Sequence, residues 1–210
     1  MINFINLKTS KTMKSIFLSI LLFFSISIVK AQETKVYKAT VDTVGGVPFY
    51  IFAKPIADYT EVGKAVSALE IIKIMVDEES TIAKKAQDMV IRTKNRLEEG
   101  KISDFDAIIV DVDAEKTRVI KFKEEPSREA MVSIIKDIPV FFMSVPNDEY
   151  TEVGEMDNSM SMRANNGMLL DKVIYIVKRA KKKLENKEVD SFDALIVDSK
   201  TLETTLIRFK

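Results

Sequence analysis

The 210-residue chain contains no cysteine, no histidine and no tryptophan. Without cysteine it can form no disulfide, so burial of apolar side chains alone must stabilise the folded state. Without histidine, imidazole acid–base catalysis, Cys–His and Ser–His nucleophile systems and His/Cys metal sites are excluded. The single glycine pair, Gly45-Gly46, is not followed by the Lys-Ser/Thr of a phosphate-binding loop. These absences predict a protein that is not an enzyme and holds no cofactor.

The N-terminus has the composition of a secretory signal peptide. Residues 1–31 contain four lysines and no acidic residue, and residues 16–29 form an uncharged run rich in Ile, Leu, Phe and Ser. This run is shorter than the roughly 20 residues that a membrane-spanning helix needs. We therefore expect cleavage after residue 31, with translation starting at Met1 or Met13. The mature chain is expected in the periplasm or outside the cell, in a bacterial envelope, without a transmembrane anchor.

The charge balance bears on the kind of partner. The whole chain has 32 basic and 32 acidic residues, and removal of residues 1–31 takes away four lysines, which leaves 28 against 32 and a net charge of −4. A mildly acidic surface argues against a nucleic-acid partner.

The chain contains an internal repeat. Residues 47–63 match residues 138–154 at an offset of 91, with 7 identities in 17 positions that include the block YTEVG. Residues 96–111 match residues 183–198 at an offset of 87, with 8 identities in 16 that include FDAIIVD against FDALIVD. Two blocks in the same order indicate a duplication. We predict a signal peptide in residues 1–31, a first repeat domain with an N-terminal extension in residues 32–123 and a second repeat domain in residues 124–210.

Each copy predicts the same order of elements. An apolar strand closed by proline leads through YTEVG, interpreted as a turn, into a second strand at residues 65–76 or, more weakly, 156–163. A helix follows, with an apolar stripe at helical spacing that begins at Ile82 or Leu169, and two more strands complete the unit. The predicted fold is α+β, as two tandem β-β-α-β-β repeats related by a pseudo-twofold axis, each with one helix packed on a small sheet. Units this small are marginal, so we expect them to pack on each other. Residues 36–41 are predicted as an additional edge strand.

The repeated blocks resemble a known group of domains. A strand, then YTEVG at Tyr59–Gly63 or at residues 150–154, then a helix that leads into Asp-Ala-Ile/Leu-Ile at residues 106–109 or 193–196, is similar to the YbjQ/RcsF-like group of small α/β envelope and cytoplasmic domains. The resemblance implies a fold. Members of the group are described as metal-binding or stress-sensing, but this chain lacks the cysteine pairs and the histidines for such roles.

The repeated polar residues are the candidate binding residues. The tyrosines and glutamates of YTEVG can present hydroxyls and carboxylates, although a structural turn is the simpler interpretation. The aspartates on either side of the apolar strand can serve as acid–base or metal-binding groups, although no calcium-loop spacing is present. They are Asp104, Asp106, Asp111 and Asp113 in the first copy and Asp193 and Asp198 in the second. The candidates from both copies are Tyr59, Glu61, Asp106, Tyr150, Glu152 and Asp193.

The function that follows is binding. We expect an exported, non-catalytic tandem-repeat protein that binds or scaffolds an unidentified protein or surface component of the cell envelope, through a sheet edge or through the cleft between the repeats. The alternative is a carboxylate-based divalent-metal binder or hydrolase that uses the repeated aspartates.

Overall fold

A computed structural model describes residues 35–65, 82–157, 168–199 and 203–210. The predicted signal peptide and most of the predicted strands at residues 65–76 and 156–163 lie outside the described residues. Residues from Val36 to Lys210 form one compact unit. The division into domains at residues 32–123 and 124–210 remains a prediction.

The first half of this unit contains seven described strands and one helix. In chain order they are β1 (Lys38–Val41), β2 (Thr43–Val44), β3 (Val47–Ile51), β4 (Ala53–Pro55), β5 (Tyr59–Gly63), α1 (Ile82–Glu98), β6 (Ala107–Asp111) and β7 (Lys116–Phe122).

The second half contains the same order of elements. They are β8 (Glu129–Val132), β9 (Ile134–Ile135), β10 (Ile138–Phe142), β11 (Ser144–Pro146), β12 (Tyr150–Met156), α2 (Leu169–Glu185), β13 (Ala194–Val197) and β14 (Thr204–Phe209). Elements up to β12 begin 91 residues after their counterparts, and later elements begin 87 or 88 residues after theirs.

The predicted β-β-α-β-β fold class is wrong. The described residues contain 14 strands in three sheets and two helices, so this part of the chain is mostly β structure. The prediction included a strand at residues 36–41 but missed the short strands β2 and β4 and, in the second half, β8, β9 and β11. These strands span only two to four residues, which is too short for an alternating pattern to be recognised in the sequence. It also treated residues 47–55 as one strand. In the structure Phe52, with a φ of +52°, bends the chain between β3 and β4, and Met143, with a φ of +50°, does the same in the second half.

Two of the sheets have equivalent strand orders. One is β2-β3-β6-β7-β5 and the other is β9-β10-β13-β14-β12. In each, one central pair is parallel, β3 with β6 and β10 with β13, and the other pairs are antiparallel. The remaining sheet, β11-β1-β8-β4, contains two strands from each half. The predicted edge strand at residues 36–41 is therefore wrong in its position, because β1 lies between β11 and β8.

The register of this shared sheet is unchanged when each residue is exchanged for its counterpart 91 positions away. Ala39 pairs with Ala130, its own counterpart, in the centre of the sheet. On one side Ala39 also pairs with Pro146, and on the other Ala130 pairs with Pro55. Backbone hydrogen bonds thus join the halves through strands about 90 residues apart in sequence.

The largest apolar cluster also joins the two halves. The buried stripes of α1 and α2, predicted from their spacing, include Ile82, Met89, Leu169 and Ile176, and both stripes belong to one cluster. The rings of Phe52 and Phe142, one from each half, are in edge contact with centroids 5.7 Å apart. Two smaller clusters each combine side chains of one five-stranded sheet with an alanine of β1 or β8 from the opposite half.

The two hairpins that open the five-stranded sheets have the same turn with different residues. Gly45 and Gly46 connect β2 to β3 with φ values of +56° and +82°, whereas Lys136 and Asp137 adopt +50° and +68° between β9 and β10. Two-residue hairpin loops with two positive φ values favour glycine and asparagine. In the second half, residues with a Cβ therefore adopt a strained backbone conformation.

Neither helix in the described segments is long and apolar enough to cross a membrane.

Candidate ligand-binding cleft

The repeated YTEVG block lies in an edge strand in both halves. Tyr59–Gly63 is the whole of β5, which pairs with β7, and residues 150–154 begin β12, which pairs with β14. The interpretation of this block as a turn is therefore wrong. Tyr59 and Tyr150 are partly buried against the two smaller apolar clusters. Glu61 and Glu152 are exposed.

The glycine of the block is required by packing. A Cβ at Gly63 would lie 2.7 Å from Cγ2 of Ile102, and a Cβ at Gly154 would lie 2.9 Å from Cγ1 of Val189. The register also shifts just before each glycine, as a β-bulge. Bulges at edge strands hinder pairing with another strand. The block therefore recurs because the edge strand and the loop after the helix must pack closely.

Asp106 and Asp193 each hold the last strand of their own sheet. Oδ2 of Asp106 accepts a hydrogen bond of 2.8 Å from the backbone N–H of Phe122, and Oδ2 of Asp193 accepts one of 2.9 Å from the N–H of Phe209. These contacts explain why the aspartate recurs, and they favour a structural role. The described residues contain no group of three or more carboxylates that could hold a metal ion.

A neighbouring carboxylate is engaged as well. The ammonium of Lys121 donates a hydrogen bond to Asp104 and lies 3.9 Å from Oδ1 of Asp106. This hydrogen bond and the positive charge of Lys121 lower the pKa of Asp104. Both side chains are at the surface, so the pair adds little to stability.

A cleft of about 140 Å³ opens beside the end of β6, where the two halves meet. Its wall contains the bend between β3 and β4, the start of β5, the end of β6 and one residue of the second half, Ser133. The polar side chains that line it include Lys54, Tyr59, Asp111, Asp113 and Arg118. Of the six predicted binding residues, only Tyr59 lines this cleft.

An ion pair gives the cleft a fixed polar wall. Nη2 of Arg118 donates to Oδ2 of Asp111 at 3.0 Å, and the backbone N–H of Ala114 donates to Oδ1 of Asp111 at 3.0 Å. The Arg118 side chain is 36% exposed, so water or a ligand can reach it. Lys54 and Asp113 are exposed and form no ion pair with another residue in the described segments.

The second half does not reproduce these charges. Val145 takes the place of Lys54, and Thr205 takes the place of Arg118, although Asp198 corresponds to Asp111. The strand pairing is the same in both halves, because Arg118 lies opposite Ile109 and Thr205 lies opposite Ile196. The sheet therefore forms without the two cations.

Sequence reasoning missed Lys54 and Arg118 because it selected residues that occur in both copies. The signal that could have found them is the reverse: positions where one copy has a charge and the other copy does not.

No family model, curated protein or solved structure matches the chain. The resemblance to the YbjQ/RcsF-like group thus remains a prediction.

Proposed function

We propose that the protein is an exported, non-catalytic binding module of the bacterial cell envelope, and that its binding surface is the cleft lined by Tyr59, Asp111 and Arg118. The observation that carries the proposal is the difference between the halves. The same backbone arrangement occurs with Lys54 and Arg118 in one half and with Val145 and Thr205 in the other. Charges that the fold does not require are better explained by recognition of a ligand.

The cleft is a better candidate than the sheet edges. The edge strands β5 and β12 both contain a bulge, and Gly63 and Gly154 pack closely against neighbouring side chains. A bulged edge is poorly suited to accept an added strand. The cleft instead combines an apolar wall with a few fixed polar groups, which is the usual composition of a ligand site.

Site-specific photo-crosslinking tests this proposal. A benzophenone amino acid is placed at position 116, which lies opposite Asp111 beside the cleft, and at position 203 as the matched control, because both positions are exposed and structurally equivalent. The protein is expressed in a bacterial host with its leader, and cells are irradiated. We expect a discrete crosslinked component at position 116 that is lost when Arg118→Thr is introduced, and none at position 203.

Two results would contradict the proposal. Crosslinks of equal yield at both positions would indicate random surface encounters, and a crosslink at position 116 that persists in Arg118→Thr would indicate that the cleft is not the binding surface. Fractionation of the same cells tests export: the mature protein is expected in the envelope or the medium, and an uncleaved protein in the cytosol would contradict it.

A further inference from the structure

The charges in the cleft point to a ligand of defined chemistry. We propose that the cleft binds a small zwitterionic group, with its carboxylate on Arg118 and Lys54 and its ammonium on Asp113. The inference rests on the proposed function, because it names the ligand class of the same cleft.

Arg118 is suited to bind a carboxylate. A guanidinium has five N–H donors in a planar fork. Among the described contacts, Arg118 uses one of its donors, in the hydrogen bond to Asp111. Asp111 is itself held by the N–H of Ala114, so the ion pair orients the guanidinium before a ligand arrives. Preorganised donors lose little conformational entropy on binding.

Lys54 supplies a second cation to the same cleft. It lies in β4, opposite Met131 of β8, on the exposed face of the shared sheet. Since Lys54 has no ion pair within the described residues, its charge is available to a ligand. Since Lys54 and Arg118 line the same cleft from different strands, a carboxylate bound there is expected to be attracted by both cations.

Asp113 distinguishes a zwitterion from a simple anion. The cleft holds two cations and two carboxylates, and Asp111 has both oxygens engaged by Ala114 and Arg118. Asp113 is left without an ion pair in the described segments. It would repel a lone anion and attract an ammonium next to the bound carboxylate. A ligand with both charges therefore matches the cleft better than one with a single charge.

The volume limits the size of this group. A cleft of about 140 Å³ is smaller than the roughly 300–1,000 Å³ of pockets for drug-sized ligands. It has room for a group the size of a small amino acid, either free or carried at the end of a larger envelope component.

Calorimetric titration of the purified protein tests the ligand class with three probes: alanine, which carries both charges, acetate and ethylammonium. We expect alanine to bind most tightly, acetate more weakly and ethylammonium weakest. Arg118→Thr and Lys54→Val introduce the residues of the second half and are expected to preserve the fold, while each weakens alanine binding about 10- to 100-fold. Lys178→Ala, a change on the exposed face of α2, is the control and should leave binding unchanged.

Asp113→Asn separates the roles of the two charges. It should reduce the preference for alanine over acetate at least several-fold without loss of the circular dichroism spectrum. Equal affinity for alanine and acetate in the unmodified protein, or alanine binding unaffected by both Arg118→Thr and Asp113→Asn, would overturn the inference. Absence of alanine binding would also overturn it, even if the crosslink at position 116 still depends on Arg118 and the proposed function stands.

Competition identifies the source of the group. If a larger component carries it, the crosslinked component at position 116 should be large, and excess alanine should suppress it. If the free amino acid is the ligand, crosslinking should add only the mass of an amino acid to the protein.

Discussion

Close packing of Gly63 against Ile102 makes a specific prediction about stability. In Gly63→Ala the new Cβ would lie 2.7 Å from Cγ2 and 3.4 Å from Cβ of Ile102. Ordinary contacts between carbon atoms are about 3.5–4.0 Å, so one atom must move by roughly 1 Å. Cγ2 is bonded to Cβ of Ile102, and this Cβ is itself only 3.4 Å from the new methyl, so rotation of the Ile102 side chain alone does not relieve the overlap.

The magnitude follows from two opposing effects. Overpacking of this kind costs about 1–3 kcal/mol. Replacement of glycine by alanine restricts the unfolded chain and favours folding by about 0.4–1 kcal/mol. We therefore expect Gly63→Ala to lower the free energy of unfolding by about 1–2 kcal/mol. Gly154→Ala should cost somewhat less, because its nearest atom, Cγ1 of Val189, is 2.9 Å away.

A double-mutant cycle with Ile102→Ala isolates the cause. Ile102 is 8% exposed, so Ile102→Ala alone should cost about 2–4 kcal/mol. Because the truncated side chain no longer meets the new methyl, the double variant should be more stable than the sum of the single effects by about 1–2 kcal/mol. The assay is urea unfolding followed by circular dichroism. Additive effects, or a Gly63→Ala protein as stable as the unmodified one, would refute the packing explanation.

Three further predictions concern stability. The hydroxyl of Ser144 is buried and has no hydrogen-bond partner among the described residues, and the first half has Ala53 at this position. Ser144→Ala should therefore raise the free energy of unfolding by about 1 kcal/mol, and a lower urea midpoint would be the contrary result. The double change Lys136→Asn and Asp137→Gly places residues that tolerate positive φ values in this turn, so the thermal midpoint should rise by a few degrees. A drop in the midpoint would contradict this. Burial and the neighbouring Lys85 lower the pKa of Lys172, so at alkaline pH the unfolded chain binds more protons than the folded one. The free energy of unfolding should therefore increase as the pH is raised toward 10.5, the ordinary pKa of a lysine. This increase should be smaller in Lys172→Met, and an identical pH profile in the two proteins would contradict the prediction.

The sequence was sufficient to predict those features that depend on local pattern. The apolar stripes of α1 and α2 follow from side chains repeated at helical spacing, and the buried strands β6 and β13 follow from short apolar runs. The shared four-stranded sheet could not be predicted in this way. Its strands span three or four residues, and its central pair, Ala39 with Ala130, is set by packing between residues far apart in sequence.

The candidate site was missed for a related reason. Residues of the blocks common to both copies, such as Tyr59 and Asp106, were taken as binding candidates. Close packing at Gly63 and the backbone hydrogen bond to Asp106 explain why these blocks recur. A fold built twice must repeat its structural residues, whereas a site that occurs once need not be repeated. Lys54 and Arg118, which the second half replaces, are therefore the more informative positions.

The most direct test of the functional account is an NMR titration of ¹⁵N-labelled protein with alanine, in which both halves are observed in the same sample. We predict that the Arg118 side-chain Nε–H resonance and the amides of Lys54 and Asp113 shift with a single saturable curve, while the amides of Val145 and Thr205 do not change. Equal shifts in both halves, or none at Arg118 under saturating alanine, would contradict a binding site that belongs to the first half alone.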